Sequence, residues 1–138
     1  MATRLQFEKW AKGLQLRYIS PSELLTKIDN PGNTLPPEDM WKNIVRPAQI
    51  LDMLRESFQK PVSIHSTYRS PAYNTGVGGA SQSQHLQFNA IDFSISGVTP
   101  GRCFNRLQAW RDAGLWKGGL GKYPTFVHID ERGNDSTW

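Results

Sequence analysis

Three residues of the sequence have the types and spacing of a metal-binding set: His85, Asp92 and His128. Zinc is bound by neutral imidazoles and carboxylates, and a catalytic zinc typically has three protein ligands with a fourth position for water. His85 ends a long polar loop, Asp92 lies in a predicted strand over 90–95, and His128 lies on a later strand that can pair beside it. Composition alone leaves another interpretation open, because a strand histidine is more often a satisfied core or surface residue.

Length and cysteine content restrict the class of protein that could carry such a site. The chain has 138 residues, which fits one domain, with a helical part over about 1–60 and a motif-bearing part over about 61–138. The apolar fraction of 38% is enough to build a core. The single cysteine, Cys103, excludes a disulfide framework and a cysteine-rich zinc knuckle, and the absence of a Cys-x-x-Cys pair excludes a zinc deaminase.

Charge and hydropathy indicate what the protein does not bind or enter. The net charge is +4, but the basic residues are spread along the chain, without a basic stripe or a base-stacking aromatic motif, so we expect no nucleic-acid partner. No apolar run reaches the ~18–20 residues of a membrane helix, so we expect no membrane span. No secretory signal peptide is visible, which predicts synthesis in the cytoplasm. We expect a monomer.

Helical periodicity and capping residues predict four helices. Leu5, Trp10 and Leu14 are the expected inward positions of the first, and Ser20 with Glu23 forms a capping box at the start of the second. Pro47 should kink or split the long third helix. The predicted helices span residues 4–14, 20–28, 37–58 and 100–112.

Three alternating segments predict strands, over residues 61–66, 90–95 and 125–130. Between the first two lies a stretch rich in glycine, serine and asparagine, residues 69–84, which predicts a long functional loop. Glycines between residues 114 and 121 predict turns. Because helices come early and strands late, the fold class is predicted to be α+β, with a small antiparallel sheet backed by helices.

The motif-bearing part of the chain resembles the zinc D-alanyl-D-alanine carboxypeptidase family. Relatives of that family include phage endolysins of the L-alanyl-D-glutamate type and the hedgehog signalling domain, which shares the fold. The order and the gaps of the matching segments agree with the family over residues 66–131. These segments are Ser66-Thr67-Tyr68-Arg69-Ser70-Pro71-Ala72-Tyr73-Asn74, Gly78-Gly79-Ala80-Ser81, Ser83-Gln84-His85 with Asp92, Gly119-Leu120-Gly121-Lys122-Tyr123-Pro124 and Val127-His128-Ile129-Asp130.

The resemblance implies a hedgehog/DD-peptidase-like fold and metal-assisted hydrolysis of an amide in a peptidoglycan peptide. It implies one Zn²⁺ held by His85, Asp92 and His128. It makes Arg69 the anchor for a substrate carboxylate, which suits a planar guanidinium. Ser83 matches a serine that orients the site, although a simple turn serine is an equal alternative. The bound ion would polarise the scissile carbonyl and lower the pKa of its water.

The sequence departs from the family pattern at the general base. Many members carry an acid three residues before the last zinc histidine and others a histidine two before it, where this chain has Thr125 and Phe126. The glycine that usually follows the first ligand by three residues is Phe88. Asp130 is the best substitute for the base, since residues two apart on a strand share a face and lie about 6–7 Å apart.

Other roles remain open for the residues around that base. Asp130 could instead orient a ligand histidine, or simply end the strand. Glu131 points the other way if the strand continues, and His65 is more readily a structural histidine than a group that lines the cleft.

Two functions compete at this point. The first is a zinc peptidase acting on the cell wall, of carboxypeptidase or endolysin type, for which a phage origin fits the small size. Such an enzyme would reach the wall by a phage release route or be carried in a virion. The second is a zinc-containing module on the same fold that binds a wall peptide or a protein without cleaving it, which Thr125 and Phe126 favour.

Overall fold

Five strands form one sheet in the computed structural model, which describes residues 2–138. The spatial order is β1-β2-β4-β3-β5, with three antiparallel pairs and a parallel pairing of β3 with β5. The predicted α+β class with a mainly antiparallel sheet is confirmed. The strands are β1 (Val62–Ser66), β2 (Ala90–Ile95), β3 (Gly119–Lys122), β4 (Val127–Asp130) and β5 (Ser136–Thr137).

Four α-helices and three short 3₁₀ helices surround this sheet. The α-helices are α1 (Arg4–Lys12), α2 (Val45–Phe58), α3 (Pro71–Gly76) and α4 (Pro100–Asp112). The 3₁₀ helices are Pro21–Leu25, Glu38–Ile44 and Gln84–Gln87. None of the described helices is long and apolar enough to cross a membrane.

The start of each early helix follows the predicted capping, but the ends differ. The Ser20 hydroxyl accepts from the Glu23 backbone and the Glu23 carboxylate accepts from the Ser20 backbone, yet the 3₁₀ helix that follows ends at Leu25 instead of residue 28. The predicted helix over 37–58 is split at Val45, and Pro47 lies in the first turn of α2, where its missing N–H removes no bond.

Two sequence expectations about buried or irregular segments are wrong. Leu5 is 76% exposed, because α1 turns Phe7 and Ala11 inward instead. The stretch over 69–84 is not a continuous loop: Ser70 caps α3, and Pro71 occupies the first helical position.

A further error concerns the glycine-rich stretch before β4. It predicts turns alone but contains β3, which lies between β4 and β5, and whose Gly119 pairs with Asp130 and Gly121 with His128. The sequence also gives no sign of β5, which is two residues long.

The hydrophobic core joins the helical part to the sheet. Phe7 of α1 lies 5.2 Å from Trp41 and 5.8 Å from Phe88, measured between ring centroids. Leu51 of α2 and Ile91 of β2 are fully buried in the same cluster. One face of the sheet is therefore closed by helices.

Candidate metal centre

The strand register places two of the three predicted metal ligands side by side. Asp92 of β2 is paired with His128 of the neighbouring strand β4, and the carboxylate Oδ1 lies 2.7 Å from His128 Nδ1. His85 comes from the 3₁₀ helix just before β2, and its Nε2 lies 3.0 Å from Asp92 Oδ2. All three side chains are buried, and their ligand atoms lie within 4.8 Å of one another. The predicted residues thus form one cluster that could hold a metal ion.

A backbone carbonyl fixes the orientation of the His85 ring. His85 Nδ1 donates to the Thr67 carbonyl over 2.7 Å, which places the ring proton on Nδ1. Nε2 of the neutral ring is then a bare lone pair directed at Asp92. A sequence motif cannot show this contact, because Thr67 acts through its main chain.

A carboxylate holds the outer nitrogen of His128 in the same way. His128 Nε2 lies 2.7 Å from Asp130 Oδ2, and both residues belong to β4 and share one of its faces. With the ring proton on Nε2, His128 presents Nδ1 to Asp92. Period two along a strand therefore brings Asp130 to His128 as expected.

The buried charges in this cluster shift one another's pKa values. Burial would raise the pKa of Asp92, but hydrogen bonds with His128 and His85 lower it overall. Burial would lower the pKa of His128, but hydrogen bonds with Asp130 and Asp92 raise it above its ordinary value. Burial would likewise raise the pKa of Asp130, but hydrogen bonds with His128 and Arg132 lower it overall.

The donor set fits a divalent cation. His85 Nε2 and Asp92 Oδ2 are both acceptors when the ring is neutral, yet they lie 3.0 Å apart. Two acceptors repel at that distance unless a proton or a cation lies between them. Two imidazole nitrogens and a carboxylate are a ligand set that zinc prefers, and binding releases the competing protons.

The matched residues extend the resemblance beyond the motif-bearing part. The sequence profile of the family Peptidase M15 matches residues 17–130, most of the chain. The chain belongs to the M15 peptidase family. It is therefore a metallopeptidase of a zinc-dependent family whose substrates are peptidoglycan peptides. Comparison with curated protein sequences gives no match.

The group formed by His85, Asp92 and His128 is here called the metal cluster. Arg69 and Ser83 both lie beside it in this M15 peptidase. The Arg69 guanidinium is 3.7 Å from Asp92 Oδ2, and its side chain keeps 20% of its surface exposed. Its backbone N–H donates to the His85 carbonyl. The Ser83 hydroxyl accepts from the His85 backbone N–H over 3.2 Å, which caps the 3₁₀ helix that carries this ligand.

A cavity of about 720 Å³ opens over the cluster. Arg69, Ser83 and the three candidate metal ligands line it, as do residues 77–80 of the glycine-rich segment. A Cβ atom on Gly79 would collide with the Asn74 amide, so glycine is required where this segment passes Arg69. Four other residues line the cavity, and none of them was expected from the sequence to face the substrate: Tyr123, Phe126, Arg132 and Trp138.

The candidates for a general base lie at different places around this cavity. Asp130 has a fully buried side chain. Its carboxylate accepts from Gly119 N, Arg132 and His128, so its oxygens already have partners and do not face the cavity. His65 bonds to Ser94 over 2.8 Å and does not line the cavity. Glu131 is exposed and lies outside the lining as well.

The two positions where other members carry a base are occupied by groups that cannot accept a proton. Thr125 is exposed, and Phe126 lines the cavity with its ring stacked on Tyr123. Among the described residues that line the cavity, Asp92 is the one carboxylate.

Phe88 occupies the position where the family usually has glycine, and the backbone explains that preference. Its φ is +56°, in the left-handed region that costs a non-glycine residue strain of order 1–3 kcal/mol. The Phe88 ring is fully buried, 6.1 Å from the Tyr68 ring, and this burial offsets the strain.

Proposed function

We propose that this chain is a zinc-dependent hydrolase that cleaves an amide bond in peptidoglycan stem peptides, with one Zn²⁺ held by His85, Asp92 and His128. One observation carries the proposal. His85 Nδ1 and His128 Nε2 are each engaged by an oxygen acceptor, so the other nitrogen of each ring, the inner nitrogen, faces the single carboxylate of Asp92. An arrangement with this many buried acceptors is costly without a cation.

The bound ion would supply Lewis-acid polarisation of the scissile carbonyl and an activated water. The chain's own residues hold the geometry. The Thr67 carbonyl and the Asp130 carboxylate fix the two imidazoles, so that in the neutral ring the nitrogen facing Asp92 is the one with the free lone pair. We assign Arg69 to a substrate carboxylate, because its guanidinium is partly exposed at the cavity beside Asp92.

We propose that Asp130 orients His128 and is not the general base. Its carboxylate is enclosed by Arg132, a backbone N–H and the histidine, and its lowered pKa makes it a poor proton acceptor. Ser83 is assigned to the short helix that presents His85, a supporting role for the ligand.

The class of peptidase depends on which end of the substrate lies at Arg69. A carboxypeptidase would place a terminal carboxylate there, and an endolysin-type enzyme an internal one. Both fit an open cavity of this volume, and a phage release route or a place in a virion fits the endolysin type. The identity of the released fragment separates the two.

A non-catalytic zinc module is the second candidate. It is favoured by Phe126 at a position where other members carry a basic group, and by the absence of a free carboxylate among the described residues that line the cavity. Such a module would bind the wall peptide through Arg69 and leave the amide intact.

Release of amino groups from purified peptidoglycan tests the proposal. The zinc-loaded protein should release new amino groups, and the chelator-treated protein should not until zinc is restored. Mass spectrometry of the fragments then names the bond. Zinc-loaded protein that binds the wall but releases nothing would favour the non-catalytic module, and protein that takes up no zinc would refute both.

A further inference from the structure

Three aromatic residues line one side of the cavity: Tyr123, Phe126 and Trp138, here called the aromatic wall. The rings of Tyr123 and Phe126 stack with centroids 4.4 Å apart and planes within 4°. Trp138 Nε1 donates to the Tyr123 hydroxyl over 2.8 Å. Because the indole N–H is used within the aromatic wall, Trp138 offers a ligand only its carbon surface.

Trp138 is brought to the cavity by residues 131–138, which lie beyond the family match that ends at residue 130. Arg111 of α4 anchors this segment from below. Its buried guanidinium donates to the Ser136 carbonyl over 3.0 Å and to the Thr137 hydroxyl. These contacts hold the end of the segment independently of the metal cluster, whereas Arg132 near its start donates to Asp130.

The position of the indole itself is also fixed on several sides. The Trp138 backbone N–H donates to Leu120 of β3. A Cβ atom on Gly121 would lie 2.6 Å from the indole, so the ring occupies space that only glycine leaves free. Arg132 lies over the indole at 4.8 Å, and the His128 ring is 5.2 Å away. Yet 43% of Trp138 is exposed, a large apolar surface at the mouth of the cavity.

The strand order places Arg69 and the Trp138 indole on opposite sides of the metal cluster. The Arg69 guanidinium lies against Asp92 of β2, and the indole lies against Gly121 of β3, with β4 and His128 between them. Two strand spacings are about 10 Å, which about three residues of extended peptide span. A peptide lying across the strands would therefore meet the guanidinium, the metal cluster and the indole in turn.

We propose that the aromatic wall is a subsite for the group that precedes, on the acyl side, the residue contributing the scissile carbonyl, with Trp138 as its specificity-determining residue. The inference rests on the proposed function, because it takes the scissile amide to lie at the metal cluster. With a substrate carboxylate at Arg69, the leaving-group side is fixed, and the acyl side points to Trp138. The aromatic wall then selects an uncharged group that packs on the indole, such as a methyl-bearing residue.

Steady-state kinetics of the zinc-loaded full chain test the subsite on two substrates. One is muramyl pentapeptide, and the other is a shortened peptide that begins at the residue contributing the scissile carbonyl. We expect Trp138→Ala to raise KM for the long substrate about tenfold, with kcat changed by less than about threefold. The KM for the short peptide should not change.

Two further variants separate the indole's own role from general damage. Trp138→Phe should retain most of the affinity, because it keeps an aromatic face. Leu115→Ala, which removes an exposed apolar side chain away from the cavity, should leave both KM values unchanged. Equal KM values for wild type and Trp138→Ala would overturn the subsite, as would a loss of zinc with a fall in kcat alone, which would mean that the indole only supports His128.

A binding measurement distinguishes failure of the subsite from failure of the hydrolase. The chain has five tryptophans, and Trp138→Phe identifies the Trp138 indole signal in a ¹⁵N–¹H spectrum. We expect muramyl pentapeptide to shift that signal, and the short peptide not to. If nothing is hydrolysed but the signal shifts, the proposed function fails and the subsite stands. An unmoved signal at saturating peptide overturns the subsite, whatever the hydrolysis assay shows.

Discussion

The residues of the metal cluster and those of the cavity walls differ in how much of their surface is exposed to solvent. His85, Asp92 and His128 are at most 7% exposed, and both rings are engaged at both nitrogens. On the walls, Val77 is 51% and Trp138 43% exposed. The groups that would hold the ion therefore have fixed orientations inside the protein, and those that would meet the substrate present part of their surface to solvent.

This difference separates the residues that would hold the metal ion from the residues that would select the substrate. Rigid ligands, two on central strands and His85 on a short 3₁₀ helix, fix where the amide must be, since a displaced ligand would change the coordination. The walls come from a glycine-rich segment and from residues 131–138, none of which is a candidate ligand, although Arg132 donates to the Asp130 carboxylate that holds His128. Substitutions in the cluster should affect zinc, whereas substitutions in the walls should affect KM.

The largest effect is expected from Asp92→Asn. The amide keeps the shape of the side chain but removes the charge on which both imidazoles converge, so zinc content should fall from about one ion per chain to near zero. Activity should fall below detection, and zinc should no longer raise Tm. Asp52→Asn is the matched control, because Asp52 accepts three backbone N–H bonds far from the cavity. The control should lose stability and keep zinc, as elemental analysis would show.

A smaller effect is expected from Asp130→Asn. If Asp130 orients His128, zinc affinity or activity should fall about 10–100-fold, because the amide still accepts a bond but without charge. Competition with a chromogenic chelator measures the affinity. Wild-type zinc affinity with activity abolished would instead identify Asp130 as the base.

The cluster should also respond to pH through His128. Its pKa is raised above 6.5, so its protonated form stabilises the metal-free fold fully below about pH 6.5, and that stability is lost as the pH rises through the raised pKa. Zinc needs the deprotonated ring, so zinc affinity should fall about tenfold per unit as the pH drops below the raised pKa. Chelator titrations between pH 5.5 and 8.5 measure this slope. A flat profile would mean that no imidazole proton is displaced.

The smallest effect is expected on the walls. Arg69→Lys keeps the charge but loses the planar fork, so KM should rise about tenfold, while zinc content stays at the wild-type value. Peptides with an amidated carboxylate should not distinguish the variant from wild type. A variant that lost zinc as well would place Arg69 in the cluster, since its guanidinium lies 3.7 Å from Asp92.

The sequence predicted the cluster better than the walls, and local geometry explains why. His85 and Asp92 are seven residues apart, and Asp130 reaches His128 through the two-residue period of a strand. These two contacts follow from short-range spacing, whereas the assignment of His85, Asp92 and His128 as metal ligands followed from the family resemblance. The α+β class followed in the same way from periodicity and capping.

What was missed depends on distant pairing. Trp138 reaches the cavity because β5 pairs with β3 in parallel. A strand of two residues is too short to be predicted from the sequence. Glycines in β3 read as turns because their packing reason, the indole against Gly121, lies elsewhere in the chain. By contrast, α3 carried a readable signal, a capping Ser70 followed by Pro71, which the polar composition of the segment obscured.

Phe88 links the short helix that carries His85 to the N-terminal helix α1. Its ring packs on Phe7 of α1, a helix that lies outside the family match over residues 17–130. The left-handed backbone at Phe88 is tolerated only while that ring stays enclosed. Displacement of α1 would uncover that ring and should therefore weaken zinc binding, although no residue of α1 lines the cavity.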